Sequence, residues 1–527
     1  MSSFATGKRV TQSTFDSIVE ENENDFGMDR TDAIGDAISQ LKSQGVDLSS
    51  IDTSGGVDTA LFKENISVLT ELHEKCKTNG DIDVETSALA LARLVKLCQK
   101  DNVNCKRNHF ILKTSGGLLA LYNVLSCNGS ANITPLVCPI LRLLMLASKT
   151  NDENRDYFDY NISESIISLL NREVDKFHEK DEPSIKELIS TTLKYLAYMT
   201  KSEGNKVMIM KSKGGELINS LLQVDKLSES WIAIKEQACV LMRGLCLHDD
   251  LRSEMSCAND NGKFFLNSEH TVKILLKYAG DFEQNALLAR YSLAAARNLV
   301  TTEESVQIMC QNGALDLPKK ILLYSDSTVP LIRSLFGFMR NLCADDIRKD
   351  KLIAMGILSP TVFAMLNEKL MADNILQDHA IACLAQFSLR SPSNSAKIVE
   401  SGALLAIARA MTKHNDKPAL LRQGCLCIRN IAARCPEFHE TILDAGFEPI
   451  LRAAGRYQDA IDEAYAALRD LKCEVKYVKI STDGTVVDGY DHFSENKKPN
   501  FNPVFEESNN IQESIVAESR APFASSR

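Results

Sequence analysis

The sequence predicts an all-α protein: a right-handed α-solenoid of about nine three-helix repeats, with short N-terminal helices before it and a disordered C-terminal tail after it. Four observations lead there. Gly313, Gly356, Gly402 and Gly446 are separated by 43, 46 and 44 residues, a ruler too regular for chance. A marker keeps the same beat, reading Arg297-Asn298-Leu299, Arg340-Asn341-Leu342, Arg429-Asn430-Ile431 and Arg469-Asp470-Leu471. Met242-Arg243-Gly244-Leu245-Cys246 repeats Met339-Arg340-Asn341-Leu342-Cys343 almost letter for letter. Finally, an aromatic content of 6% with one Trp suits helix-on-helix packing by Leu, Ile and Ala.

A period of about 40–47 residues is that of armadillo and HEAT arrays, in which no unit buries its own apolar face and stacking supplies the core. The clearest unit runs from Gly402 to Gly446. Leu404, Leu405, Ile407, Ala408 and Met411 give a first apolar face, which ends at His414-Asn415-Asp416. Asp416 is expected to cap the next helix, with Pro418 in its first turn, where a missing N–H costs nothing. Leu420-Gly424-Cys427-Ile431 and Leu421-Cys425-Ile428-Ala432 make that helix apolar nearly all round, leaving a polar stripe through Arg422, Arg429 and Asn430. After Pro436, Phe438, Ile442 and Leu443 form a short helix, and Gly446 supplies the positive φ that ends it.

The elements follow in order. Thr11 is placed to cap a helix carrying Phe15, Ile18, Val19 and Phe26, and Ala33, Ile34, Ala37, Ile38 and Leu41 form a second amphipathic face ending at Gly45. These two helices and a Ser/Thr/Gly linker make an N-terminal segment, residues 1–60. The repeat array spans 61–478. It begins with a helix from Leu61 and a buried one over Ala88 to Leu97, and Gly116-Gly117 opens the next helix before the apolar run at Pro139. Tyr157 to Leu170 has the right pattern without its glycine, so that junction is made differently. Asn171 to Pro183 reads as a charged surface loop or helix extension, and Ser253 to Ser268 as a polar insertion. Trp231 to Cys246 is a buried helix. Residues 479–527 form the tail, rich in Asn, Ser, Glu and Pro and unable to bury enough surface to order itself, although the stretch from Tyr477 to Tyr490 can form a short strand pair.

Composition narrows the function. A net charge of −10 argues against general nucleic-acid binding, which needs a concentrated basic surface. The first residues lack an apolar core and no stretch has the length of a membrane span, so the expected place is the cytosol or the nucleus, with no membrane partner. Fifteen cysteines scattered through apolar rows read as reduced core residues. No phosphate-binding loop, nucleophile elbow or Cys-x-x-Cys is present, and Cys425 and Cys427 point to opposite sides of one helix, so no catalytic residue, metal ligand or cofactor is assigned. Asp345-Asp346 and Asp249-Asp250 sit where helices start and read as caps.

The stretches KRVTQSTFDSIVEENENDFGM and DAISQLKSQGVDLSSI resemble the N-terminal segment of the armadillo repeat-containing protein 6 family, and GALLAIARAM, CLCIRNI and ALRDLKCEV extend the resemblance to about Val475. What it implies is a protein-binding scaffold. In armadillo proteins the third helices of the repeats line a concave groove, where an asparagine ladder bonds the backbone of an extended peptide. The resemblance puts Asn298, Asn341 and Asn430 on that ladder, each preceded by an arginine. Arg297, Arg340 and Arg429, with Arg243 in a further unit, would make a basic track suited to an acidic partner segment. The ladder is broken by Leu143, Gly244 and Asp470, and Ala294, Gly337 and Leu426 hold the places where importin-α-type receptors carry Trp, which argues against recognition of basic import signals. The alternatives are a co-chaperone or assembly factor that uses the N-terminal helices as a second contact, and an enzyme with its site in the irregular repeats 157–268.

Overall fold

The structure, a computed structural model, describes residues 8–48, 51, 53, 57–78, 80–102, 105–126, 133–150, 152–248, 256–324, 326–475, 479–480 and 486–488. It divides into two compact units, Met1–Asn261 and Gly262–Arg527.

The first unit opens with a small module of its own. Strands β1 (Lys8–Arg9) and β2 (Val46–Asp47) pair in parallel and bracket helices α1 (Gln12–Asp25) and α2 (Arg30–Ser43). Thr11 caps α1, its hydroxyl accepting from Thr14 N at 3.2 Å, and Asp29 caps α2. Phe15, Val19, Ala33, Ala37, Leu41, Val46 and Ile51 bury one another in a separate core. The paired strands were invisible in the sequence because two residues are too few to show an alternation.

Helices α3 (Val57–Thr78) and α4 (Val84–Leu97) begin the array. Complete repeats follow as α5 (Cys105–Thr114), α6 (Gly117–Ser126) and α7 (Thr134–Thr150); a 3₁₀ turn (Asp152–Arg155) with α8 (Tyr160–Glu179) and α9 (Pro183–Met199); and α10 (Glu203–Lys211), α11 (Gly214–Gln223) and α12 (Glu229–Leu245). The third helices α4, α7, α9 and α12 pack in series. The charged stretch after Asn171 is the extension of α8, and the repeat without a glycine starts that helix with Asp159 as its cap. The expected polar insertion is corrected: its described part is α13 (Ala258–Leu266), a regular first helix whose Asn261 donates to the Leu245 carbonyl at 2.9 Å.

In the second unit the repeats are α14 (Glu269–Gly280) and α15 (Ala286–Leu299); α16 (Glu303–Gln311), α17 (Leu317–Leu323) and α18 (Val329–Leu342); α19 (Asp346–Ala354), α20 (Leu358–Leu366), the short α21 (Glu368–Met371) and α22 (Asn374–Ser388); α23 (Pro392–Glu400), α24 (Ala403–Lys413) and α25 (Pro418–Ala432); and α26 (His439–Asp444), α27 (Phe447–Ala454) and α28 (Ile461–Asp470). Here α15, α18, α22, α25 and α28 form the series of third helices. The protein is thus an all-α armadillo solenoid. The other strands among the described residues, β3 (Lys479–Ile480) and β4 (Val486–Asp488), form the short antiparallel pair expected there. The disorder expected for the rest of the tail concerns residues outside those described.

The ruler glycines do what the sequence asks of them. Gly313, Gly356, Gly402 and Gly446 have φ of 89°, 77°, 78° and 79°, the left-handed turn between first and second helices. In the repeat of α10 the same turn position holds Lys213 (φ 67°), and the glycine comes at the next residue, where a Cβ on Gly214 would lie 2.6 Å from Ile209 Cγ2. A non-glycine residue in this region costs about 1–2 kcal/mol, so Lys213→Gly should raise stability by about 1 kcal/mol in urea unfolding. Two further expectations divide. Asp345 caps α19, accepting from Ile347 N and Arg348 N at 2.6 and 3.1 Å. Asp416 does not cap α25: Lys417 holds the cap position without a side-chain bond, Pro418 starts the helix as expected, and the Asp416 carboxylate accepts from Lys417 Nζ at 2.7 Å. Asp249 and Asp250 lie outside the described residues. Cys425 and Cys427 are fully buried, and burial pushes each thiol up to about 12. No described helix is long and apolar enough to cross a membrane.

Candidate interaction surface on the third helices

The marker residues fall at the C-terminal ends of the third helices, where the last carbonyls of a helix have no intrahelical donor. That need decides what the asparagines do. Asn341 Nδ2 donates to the carbonyls of Arg297 (3.1 Å) and Val300 (3.2 Å), tying α18 to the end of α15. Asn430 Nδ2 donates in the same way to the Ala385 carbonyl of α22 at 3.0 Å, and Asn430 is only 6% exposed. Asn430 thus faces the preceding helix, not solvent, and both side chains spend amide donors inside the fold, Asn341 two and Asn430 one. Asn298 sits half-buried at the equivalent place on α15. In α22 the marker is replaced by Ala385-Gln386, which the sequence comparison did not register. Asn430→Ala would leave a buried carbonyl without its partner, a cost of about 1–3 kcal/mol, to be read from thermal unfolding.

The arginines differ among themselves. Arg429 Nε lies 4.0 Å from Asp470 Oδ2, Arg422 Nε donates to Glu463 Oε1 at 2.9 Å, and Arg333 Nε to Asp373 Oδ1 at 3.1 Å, each bridging to the next third helix. Arg340 is half-buried and makes no hydrogen bond or ion pair with any described residue. Arg297 reaches across from α15 and lies on Gly337 of α18, where a Cβ would stand 2.8 Å from its Nη1 and 3.2 Å from its Cζ. Gly337 is thus the seat of an arginine. In the first unit Arg243 is exposed in the last turn of α12, and the ladder place after it is Gly244 because the Thr200 side chain occupies the space a Cβ would need.

Helical spacing of three and four residues puts Leu287, Arg290, Ala294 and Arg297 on one stripe of α15, Arg333, Gly337 and Arg340 on one stripe of α18, and Ile375, Asp378 and Ala382 on one stripe of α22. Leu287 and Ile375 are 47% and 46% exposed, unusual for apolar side chains on the most buried class of helix. Asp378 is the residue the sequence reading missed. It is half-buried, its Oδ1 has no hydrogen-bond partner, and burial raises its carboxyl while Arg340 and Arg297 pull it back. Beside it, burial and the field of Arg297 hold His379 down at about 4, and its Nδ1 donates to the Arg333 carbonyl at 3.3 Å. A histidine kept neutral by folding takes up protons more readily when unfolded. Stability carried by His379 is therefore full above the ordinary 6.5 and is lost as pH falls towards 4. His379→Gln should flatten that part of the curve in pH-dependent denaturation.

Among the described residues no group of three metal-ligating side chains occurs. Residues 7–64 match the model of the armadillo repeat-containing protein 6 N-terminal domain. Over 402 residues the chain is 25% identical to the armadillo repeat-containing protein 6 homolog of Drosophila melanogaster, covering 75% of this chain and 80% of that one. Over 404 residues it is 25% identical to armadillo repeat-containing protein 6 of Homo sapiens, covering 74% and 75%. Among solved structures it is similar to the designed armadillo repeat protein YIII(Dq)4CqI, with 21% identity and a TM-score of 0.40 over 48% of this chain and 98% of that one.

Proposed function

We propose that this chain, a member of the armadillo repeat-containing protein 6 family, is a non-enzymatic scaffold that binds an extended, acidic protein segment along the third helices of its second unit, in the cytosol or nucleus. The observation that carries the reading is the set of arginines on three third helices, Arg290 and Arg297 on α15, Arg333 and Arg340 on α18, and Arg422 and Arg429 on α25, in a protein whose net charge is −10, with the exposed Leu287 and Ile375 among them. Guanidiniums are weakly hydrated and fork-shaped, so they hold carboxylates bidentately, while exposed apolar side chains reward contact with a partner. The asparagines contribute less than a full ladder would, since the side-chain amides of Asn341 and Asn430 already donate to carbonyls of the preceding helix.

The test uses fluorescence anisotropy with fluorescein-labelled peptide libraries of fixed length, one rich in Glu, one in Lys, one neutral. The Glu-rich library should bind preferentially and lose affinity as salt rises. Changing Arg297 and Arg340 together to Glu should abolish that preference in a protein whose circular dichroism shows the helical fold intact. Equal binding of all three libraries would contradict the proposal.

A further inference from the structure

We infer that the cavity between the second helices α24 and α27 is a docking site for the protein's own C-terminal segment, residues 501–507, with the Phe505 ring in the cavity and Glu506 and Glu507 against Arg456 and Lys413. It uses none of the arginines of the third helices and stands without the reading above.

Met411 of α24, Leu421 of α25, Ile450 and Ala453 of α27, and Tyr457 just after that helix enclose a cavity of about 140 Å³. A cavity of about 150 Å³ with apolar walls is what holds a benzene ring, so this one has room for a single phenyl group. Asn415 and Arg456 also line it, and both are exposed. Thr412 borders this cavity and an adjoining one against α20 and α21, which brings the exposed Lys413 alongside. Neither Arg456 nor Lys413 makes a hydrogen bond or ion pair with a described residue. Acids close by in sequence are already answered, Asp416 by Lys417 and Glu448 by Arg452, and Glu368 lines the adjoining cavity but not this one. The site is therefore an apolar hole beside two uncommitted positive charges.

The occupant is argued from where the chain leaves the array and from its charge. Arg452 Nη2 of α27 donates to the Glu474 carbonyl at 3.0 Å, so the chain departs beside the helix that forms one wall, four residues before Arg456. Reach is ample: the 17 residues from Asp488 to Phe505 span up to about 60 Å when extended. Phe505-Glu506-Glu507 offers one aromatic ring followed at once by two carboxylates. The other aromatics near charge fit less well. Phe493 is followed by Lys497 and Lys498, and Phe523 lies between Arg520 and Arg527, so each would bring like charge to Arg456. A segment on the same chain meets its site at an effective concentration of about 1 mM, so even a contact of about 0.1 mM affinity keeps roughly nine-tenths of the sites filled.

The test uses the intact protein with a benzophenone side chain at Asn415, mixing ¹⁵N-labelled and unlabelled chains and locating crosslinks by mass spectrometry. Crosslinks should run to residues 501–507 of the same chain and weaken as salt rises. Phe505→Ala, or Lys413→Glu together with Arg456→Glu, should lower their yield at least fivefold while circular dichroism shows the helical fold intact. Adding Glu506→Lys and Glu507→Lys to the charge-reversed variant should restore the yield. Crosslinks that join labelled to unlabelled chains would assign the segment to a second copy. No crosslink to residues 501–507, or a yield indifferent to both variants, would leave the cavity to a separate partner or to none. Each of these results overturns the proposal.

Discussion

Replacing Lys349 with alanine is expected to destabilise the second unit by about 2–5 kcal/mol, because two carbonyls lose a buried donor at about 1–3 kcal/mol each. Lys349 is 1% exposed, yet its ammonium is fully used. It donates to the carbonyls of Gln386 and Leu389 at the end of α22 and pairs with Asp346 Oδ1 at 2.6 Å. A first helix thereby caps the third helix of its own repeat. Lys206 does the same for α12 through the Leu247 carbonyl at 2.8 Å, and Lys235 bonds the Val224 and Lys226 carbonyls at the end of α11. Removing the ammonium leaves the two carbonyls at the end of α22 without their donor. Lys349→Met keeps most of the volume and isolates the capping contribution; if methionine is as stable as lysine in urea unfolding, the capping account is wrong.

Ile428→Ala should cost about 2–5 kcal/mol, because the side chain is fully buried in α25 between α22 and α28 and the cavity cannot collapse without moving both. In a nearest-neighbour array the loss should spread little further. Hydrogen exchange should show α22, α25 and α28 losing protection while α15 keeps it. Uniform loss through the whole unit would contradict modular stacking.

What could be read from the residues divides by physical cause. The repeat was legible because glycine alone adopts φ near 80° without strain, so Gly313, Gly356, Gly402 and Gly446 had to recur. Lys213 broke the ruler because the left-handed turn position there holds a lysine, and the glycines seen in the sequence begin one residue later, at Gly214. Asn430 was misplaced because an asparagine on a polar stripe looks the same whether it faces solvent or a stranded carbonyl; only the end of α22 shows which. The buried lysines were missed for the same reason. Asp378 was missed because its partners, Arg297 and Arg340, are 81 and 38 residues away in sequence and meet it only through stacking. Arg297, Arg340 and Arg429 were singled out together, but only the fold shows that Arg429 lies 4.0 Å from the Asp470 carboxylate of the next third helix.

The most direct test of the groove is site-specific photocrosslinking with a benzophenone side chain, using an acidic extended peptide as probe. One series of variants carries the group at Leu287, Ile375 and Leu426 on the third helices; another carries it at Phe26 in the N-terminal module and at Ile347 on α19, both strongly exposed. The account predicts crosslinks from the first series, competed by salt and lost when Arg297 and Arg340 are both changed to Glu. Crosslinks from Phe26 or Ile347 with none from the third helices would contradict it.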